Sequence, residues 1–419
     1  MIKALEGLRI LDMSHVIAGP MASYFLAQLG AEVIKIERPG GGEIMRARKS
    51  DTPGEMPTDF VSLNAGKLSL AIDIKHPEGA RLIRLLAETS DIFIENFRPG
   101  AIAKYGLDYE SLKAVKPGLI YCSISGYGQN GEWSGRGGYD SVIQALTGMA
   151  MVSGDSGETK PMKIGFPVVD IATGMLGALS ILAAFIQKLL TGKGAHIDAS
   201  MVQAALLLMY PHVTNYLTSG KMVERTGNRG YSNSPTSDTF ACADGWLAIA
   251  ANTPDQFKTT ARILGLDELC TNDQLLDLSI LNAPEDAFVV ARDLDAVQQQ
   301  FRDAFQMRPV LELEVELNAL GVPASRVCTV EEFLDIALNK EQLDIPFMTL
   351  ARGASGVKTA GLGFSFNEKA ASHKQNTSEL GGDAEAILKD IGVSDEALTS
   401  LIGRGIVRIP EKIAVNVDE

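Results

Sequence analysis

The chain has 419 residues, enough for a large core and a second folded unit. Hydrophobic residues make up 46% and charged residues 21%, proportions that argue against extensive disorder. A net charge of -14 argues against general affinity for nucleic acid or anionic membrane, yet leaves room for a local basic pocket.

Strand and helix signals alternate through the first half. An apolar run over Leu8–Met13 leads to a glycine-proline turn at Gly19-Pro20, and a helical pattern follows over Met21–Leu29. Gly30 ends that helix, and Ala31–Ile36 reads as the next strand. Leu68–Asp73, Ile92–Glu95 and Leu119–Ile124 are further short strands, with helical stretches near Glu78–Glu88 and Tyr109–Ala114 between them. This β-α-β order predicts a mainly parallel sheet with ligands beyond the carboxyl ends of its strands. Asp170–Leu190 reads as one long helix, apolar nearly all round and therefore buried. Asp198–Leu217 reads as a second apolar helical stretch, interrupted at Pro211. From about residue 225 the chain turns to Gly, Asn, Ser and Pro, then a strand-like Trp246–Ala251 and polar helices. A smaller α+β domain is expected over 225–325, with 1–224 and 326–419, including a last helix over Asp383–Ile391, forming the large α/β domain.

Cys122, Cys242, Cys270 and Cys328 form no C-x-x-C pair, which suits small buried or incidental thiols in a reducing cytoplasm. The amino-terminal residues form no signal-peptide core, because Lys3, Glu6 and Arg9 interrupt them. The longest apolar stretch, near Met175–Ile186, reads as too short for a bilayer, so neither export nor membrane insertion is expected.

Gly126-Tyr-Gly128-Gln-Asn-Gly131 fits G-x-G-x-x-G after a strand, but the residues that follow do not open a helix, as a dinucleotide fold requires. A glycine-rich loop over some other ligand is the better reading. Pro39–Glu43, behind Arg38, reads either as a flexible ligand loop or as a plain turn. Among the five histidines there is no metal spacing, and His15 stands after the first strand as a polar site candidate. No G-x-S-x-G elbow appears.

Asp170 carries the most weight. It reads either as a helix N-cap or as a carboxylate held ionised by the positive end of the helix, hence a competent nucleophile for a thioester. On the second reading Gly165, Gly174 and Gly177 would let a substrate approach it closely.

Taken in order, Gly7–Asp12, His15–Pro20, Leu29–Arg38, Asn64–Lys67, Leu70–Asp73, Glu95–Gly100, Gly126–Gly131, Gly138–Asp140, Gly192–Gly194 and Leu320–Pro323 form a specific series. It resembles the class III CoA-transferase family (the CaiB/BaiF type, formyl-CoA transferase-like), which also contains acyl-CoA racemases. The resemblance implies a large Rossmann-like domain built from both chain ends, a small domain between them and an interlocked homodimer. It implies neither metal nor tightly bound cofactor, with a coenzyme A thioester and a small carboxylic acid as substrates and succinyl-CoA as a candidate donor. Asp170 matches the family's catalytic aspartate. His15, Ile17, Ala18, Arg38, Ile72 and Lys75 match positions lining the CoA site. Asn96, Phe97, Arg98 and Lys104 fall where the family holds the nucleotide and diphosphate, and Arg136–Tyr139 border the pantetheine arm and thioester.

Two departures bear on the reaction. Racemases carry His where this chain has Tyr139, and a phenol is a poor general base near neutral pH, so transfer is favoured over racemisation of a 2-methylacyl-CoA. The glycine run of some formyl-CoA transferases is replaced here by Gly227–Pro235, which speaks against a formyl/oxalate pair. A non-catalytic acyl-CoA-binding protein is the remaining alternative.

Overall fold

The computed structural model describes residues 3–230, 232, 234–283, 287–339, 343–352, 355–366, 369–370 and 376–411. They divide into two compact units, one of 1–150, 163–221 and 345–419, the other of 151–162 and 222–344.

The first unit is built on a seven-stranded sheet. Its parallel strands are β1 (Arg9–Asp12), β2 (Glu32–Glu37), β3 (Leu68–Ile72), β4 (Ile92–Glu95), β5 (Ile120–Ser125) and β6 (Ala195–Ser200). The order is 3-2-1-4-5-6, so the chain reverses direction across the sheet between β1 and β4. Neighbouring residues serve opposite faces, as a period of two requires. Leu11, Ile34, Phe93 and Tyr121 enter one core and Ile10, Val33, Ile92 and Ile120 the other.

The helices in chain order are α1 (Ala18–Gln28), α2 (Thr58–Asn64), α3 (Pro77–Glu88), α4 (Tyr109–Val115), α5 (Asp140–Leu146), α6 (Met149–Val152), α7 (Val168–Thr191), α8 (Met201–Leu208) and α9 (Tyr210–Ser219). Leucines and isoleucines of α3 join the first core, whereas α1 and α7 supply Ala22, Leu26 and Ile181 to the second. Gly19 and Pro20 lie inside the first turn of α1 and not in a turn before it, which costs little because a first-turn Pro has no helical bond to lose.

The second unit holds β7 (Thr236–Ala241), β8 (Trp246–Ala251) and β9 (Ala324–Arg326), all antiparallel, with α10 (Pro254–Ile263), α11 (Leu278–Leu281), α12 (Leu294–Phe305), α13 (Val310–Ala319) and α14 (Val330–Ala337). Phe240, Phe257, Phe301 and Phe305 form the centre of its own core. It extends to Asp344 and takes in 151–162, so it is larger than the 225–325 read from composition.

The chain then returns to the first unit through the hairpin β10 (Phe347–Arg352) and β11 (Ser355–Ala360), the short pair β12 (Ser365–Phe366) and β13 (Lys369–Ala370), and helices α15 (Ala384–Asp390) and α16 (Asp395–Gly403). Strand β14 (Val407–Arg408) closes the sheet antiparallel to β3. Both chain ends therefore build the large unit.

Further sequence expectations change. Asp198 lies in edge strand β6 and not in a helix, because its alternating half-exposed residues pair with β5. Helices α8 and α9 break at Met209, where Pro211 can occupy the first turn of a new helix. Helix α7 is not wholly buried: Met175, Leu179, Ile186 and Leu190 are exposed along one face. At 24 residues and mean hydropathy 2.0 in its best window, α7 is also long and apolar enough to cross a membrane. Its interior glycines and alanines are the part that faces α1 and the sheet.

Candidate functional site

The reversal between β1 and β4 leaves an opening at the carboxyl ends of the strands, and a single turn, Ser14–Ile17, occupies it. Each of its first three residues is fixed by a side chain from elsewhere. The Ser14 N–H donates to Asp12 Oδ1 at 2.9 Å, and Lys35 Nζ donates to the Ser14 carbonyl at 2.5 Å. Asn96, just past β4, holds both backbone groups of His15, accepting its N–H at 2.9 Å and donating to its carbonyl at 2.7 Å. Glu43 Oε2 accepts the Val16 N–H at 3.2 Å. Val16 has φ of 69°, a left-handed conformation that a β-branched residue rarely adopts. Gly19 is required nearby, since a Cβ there would lie 2.2 Å from that of Ser14.

Beneath the turn lies a buried charge network. Asp12 accepts from Ser23 Oγ at 2.6 Å and from Lys67 Nζ at 3.0 Å, with Lys35 Nζ at 3.8 Å, and all three charged side chains are shielded from water. Burial alone would raise the Asp12 carboxyl, but the two lysines outweigh it and hold the group well below the usual range.

Two cavities flank the turn. One of about 310 Å³ is lined by His15–Ala18, Asn96–Arg98, Gly126, Arg136–Tyr139 and Asp170, among others. The other, about 470 Å³, is lined by Arg38, Gly42–Ile44, Ile72 and Lys75 and shares His15, Val16, Phe97 and Tyr139 with the first. Both sizes suit parts of a small-molecule ligand. His15 is half-buried with its ring 5.4 Å from that of Phe97, and burial, then the Lys35 charge, lower its pKa and favour the neutral imidazole. Arg136 lies 4.0 Å over the Trp133 ring. Arg38 Nε donates to the Gly42 carbonyl at 2.6 Å, which shapes the glycine loop.

The structure thus gathers His15, Ile17, Ala18, Asn96, Phe97, Arg98, Arg136, Tyr139 and Asp170 around the smaller cavity, and Arg38, Ile72 and Lys75 around the larger. Lys104 lines neither, and its ammonium lies 5.0 Å over the Tyr105 ring.

Asp170 is the third residue of α7, not its N-cap, which is Pro167. The capping is done from a distance. Asp140 Oδ2, on α5, accepts the N–H groups of Val169 at 2.8 Å and Asp170 at 3.1 Å. Asp140 Oδ1 accepts from Gln144 Nε2 at 2.6 Å, while Gln144 Oε1 accepts the Ile164 N–H at 2.8 Å. The positive end of α7 does not by itself keep Asp170 ionised: burial first, then the Asp140 charge, push its carboxyl up to about 7.

The glycines also differ from expectation. Gly174 and Gly177 face Met21, Ala22 and Ile124, so they admit α1 and β5, not a substrate. Gly126 and Gly138 allow two backbones to touch, since a Cβ on Gly126 would lie 2.8 Å from the Gly138 Cα. Sequence reading assigned no role to Asp140, Gln144, Glu43 or the Asp12–Lys35–Lys67 network. All but Gln144 stand inside the quoted motifs, Asp12, Lys35, Lys67 and Asp140 in the family series and Glu43 in the Pro39–Glu43 loop, but nothing in those motifs showed what they touch.

The pattern of the CoA-transferase family III matches residues 5–384. The chain belongs to that family. It is 40% identical over 274 residues to human succinyl-CoA:glutarate CoA-transferase, covering 65% of this chain and 62% of the human one. The match therefore spans about three-fifths of that relative's length. Succinyl-CoA–D-citramalate CoA-transferase of Chloroflexus aurantiacus is 32% identical over 336 residues, 79% of this chain and 80% of that protein. Among solved structures, a CAIB/BAIF family protein from Brucella suis superposes with a TM-score of 0.79 at 31% identity, covering 93% of this chain and all of the other. Its α/β architecture with a mainly parallel sheet is the fold described above.

Proposed function

We propose that this family III member is an acyl-CoA:carboxylate CoA-transferase that works through covalent intermediates on Asp170. The observation that carries the reading is a half-buried carboxyl, poised near neutrality, in the wall of a cavity that shares His15, Val16, Phe97 and Tyr139 with a second one lined by Arg38 and Lys75. A long thioester would lie across both, its nucleotide toward Arg38, Ile72 and Lys75 and its thioester toward Asp170. Arg98 and Arg136 supply the positive charge that the acidic average conceals.

In the proposed cycle the ionised Asp170 attacks the donor thioester carbonyl, the C–S bond breaks, and an acyl-aspartyl anhydride and CoA thiolate result. The thiolate attacks the aspartyl carbonyl, and the donor acid leaves as a carboxylate. The acceptor carboxylate then attacks the aspartyl-CoA thioester and expels thiolate. Thiolate attack on the acceptor acyl carbonyl completes the exchange and restores Asp170. Protons balance throughout, and each step trades groups of similar energy. Partial burial limits hydrolysis of the anhydride. Backbone N–H groups near the glycine segments are candidates for stabilising the tetrahedral oxyanions. The names of the relatives support succinyl-CoA as donor and a small carboxylic acid as acceptor.

We read the working form as a homodimer interlocked through the exposed apolar face of α7 with α8 and α9, where Leu179, Leu190, Leu207 and Leu217 lie open in the single chain. A second copy suits that face better than lipid, because the opposite side of α7 packs on α1. Four unpaired cysteines fit a reducing, cytoplasmic setting.

Hydroxylamine tests the mechanism. It should inactivate the enzyme only once acyl-CoA is present and leave its adduct on Asp170, as read by mass spectrometry. An adduct elsewhere, acyl transfer at parental rate by Asp170→Ala, or exchange of an α-proton without an acceptor acid would refute the reading.

A further inference from the structure

Glu43 closes the glycine loop that follows β2, and its side chain does not stay in that loop. One carboxylate oxygen, Oε1, accepts the Met45 N–H at 3.0 Å within its own segment. The other, Oε2, reaches the N–H of Val16 in the turn between the two cavities. The Glu43 backbone N–H in turn donates to Glu37 Oε2 at 3.2 Å, and Glu37 is gripped by Arg46 through two nitrogens at 2.8 Å each. The carboxylate is buried, so its bond to Val16 is protected from competing water.

Val16 is where a fixed partner matters. Its left-handed backbone costs energy that the residue would release by relaxing to φ below zero, and that relaxation would rotate the peptide leading into Ile17. Ile17 and Ala18 follow immediately and line the Asp170 cavity. They begin α1, which has neither a capping side chain nor an acidic residue in its first turn. The clamp on Ser14 and His15 fixes the turn from one side. Glu43 is the partner on the other side, and it also lines the larger cavity beside Gly42.

We infer that Glu43 is a positioning residue: its carboxylate holds Val16 in the strained turn conformation, and so sets the wall that Ile17 and Ala18 present to the Asp170 carboxyl. Glu43 touches no reacting atom. It converts the geometry of the glycine loop, at the nucleotide end of the proposed site, into geometry at the thioester end. Binding energy from a remote part of the ligand is thereby spent on the chemical step.

The inference rests on acylation of Asp170, and the test separates the two. Acylation is followed as hydroxylamine-trapped adduct in rapid-quench experiments, and CoA affinity by calorimetry, for the parent, Glu43→Ala, Glu43→Gln and Val16→Gly. Failure of the parent to form an Asp170 adduct would overturn the mechanism itself. If the parent is labelled, Glu43→Ala should acylate about 10- to 100-fold more slowly, the scale of a small misplacement at a reacting centre, a loss larger than any in its CoA affinity. Glu43→Gln keeps an amide oxygen for the Val16 N–H and should recover most of that rate. Glycine tolerates the left-handed backbone unaided, so Glu43→Ala should cost less than about threefold in the Val16→Gly background. Unchanged acylation in Glu43→Ala overturns the positioning role. So does an equal loss in both Val16 backgrounds, or a loss of CoA affinity that accounts for the whole effect, which marks mere melting of the glycine loop.

Discussion

The carboxylate of Asp140 accepts the backbone N–H of Asp170 at 3.1 Å, so the group that anchors the start of α7 is also the like charge nearest the proposed nucleophile. One side chain therefore fixes position and basicity together. A carboxyl near 7 is a stronger nucleophile once ionised than one near 4, at the expense of the fraction ionised at neutral pH.

A pH profile follows from that arrangement. The kcat/KM of the parent should climb as pH rises through about 7, when the Asp170 carboxyl loses its proton. Asp140→Asn keeps an amide oxygen for the helix N–H groups but removes the charge, so the rising limb should move to lower pH. A limb that stays in place in Asp140→Asn would show that the neighbouring charge does not tune Asp170.

The same shift bears on stability, with a definite sign. The Asp170 carboxyl has a folded-state pKa of about 7 against an ordinary 3.8, so the folded chain binds the extra proton between those values. Its stabilising contribution is complete below about pH 4 and is lost as pH rises through about 7. Urea unfolding of the parent should accordingly weaken between pH 4 and 8 more than that of Asp170→Asn, which has no proton to lose. Parallel curves for the two proteins would contradict the perturbed carboxyl.

Much of the sheet was legible because its strands are short apolar runs separated by helical patterns, as at Ile92–Glu95 and Glu78–Glu88. Edge strand β6 was not, since His196 and Asp198 break the apolar run and only pairing with β5 makes it a strand. The cavity-lining residues were recoverable through family motifs. The supports stand in the same motifs, but their contacts with one another were not legible. Asp12, Lys35 and Lys67 are 55 residues apart at the extremes and look solvated in sequence, and only the crossing of β1, β2 and the residue before β3 buries them together. Val16 is equally invisible, because nothing in a sequence marks a valine held left-handed by a distant glutamate.

That buried network makes Lys67 a sensitive position. Its ammonium donates to Asp12 Oδ2, the Pro20 carbonyl at 3.0 Å and Asn64 Oδ1 at 2.9 Å. Lys67→Met fits the volume but leaves Asp12 with one fewer cation in a site closed to water, a loss on the order of 3–5 kcal/mol. Denaturant unfolding should show a drop of that size. Adding Asp12→Asn should deepen the loss, because the buried Lys35 ammonium would then stand without its carboxylate.

Gly174 decides whether the small residues of α7 serve packing or substrate access. A Cβ there would lie 2.6 Å from the Met21 Cβ and 2.8 Å from the Ala18 carbonyl oxygen, and neither atom is the free end of a flexible side chain. Alanine would gain helix propensity of about 1 kcal/mol, yet it must push α1 away from α7. Overpacking of this kind costs about 1–3 kcal/mol, so Gly174→Ala should be no more stable than the parent and Gly174→Val distinctly less so. Because α1 opens at the turn beside Asp170, acylation should slow in step with the loss of stability while CoA affinity changes less. A Gly174→Ala enzyme that gains stability, with only its affinity for larger acyl groups reduced, would return Gly174 to the substrate pocket.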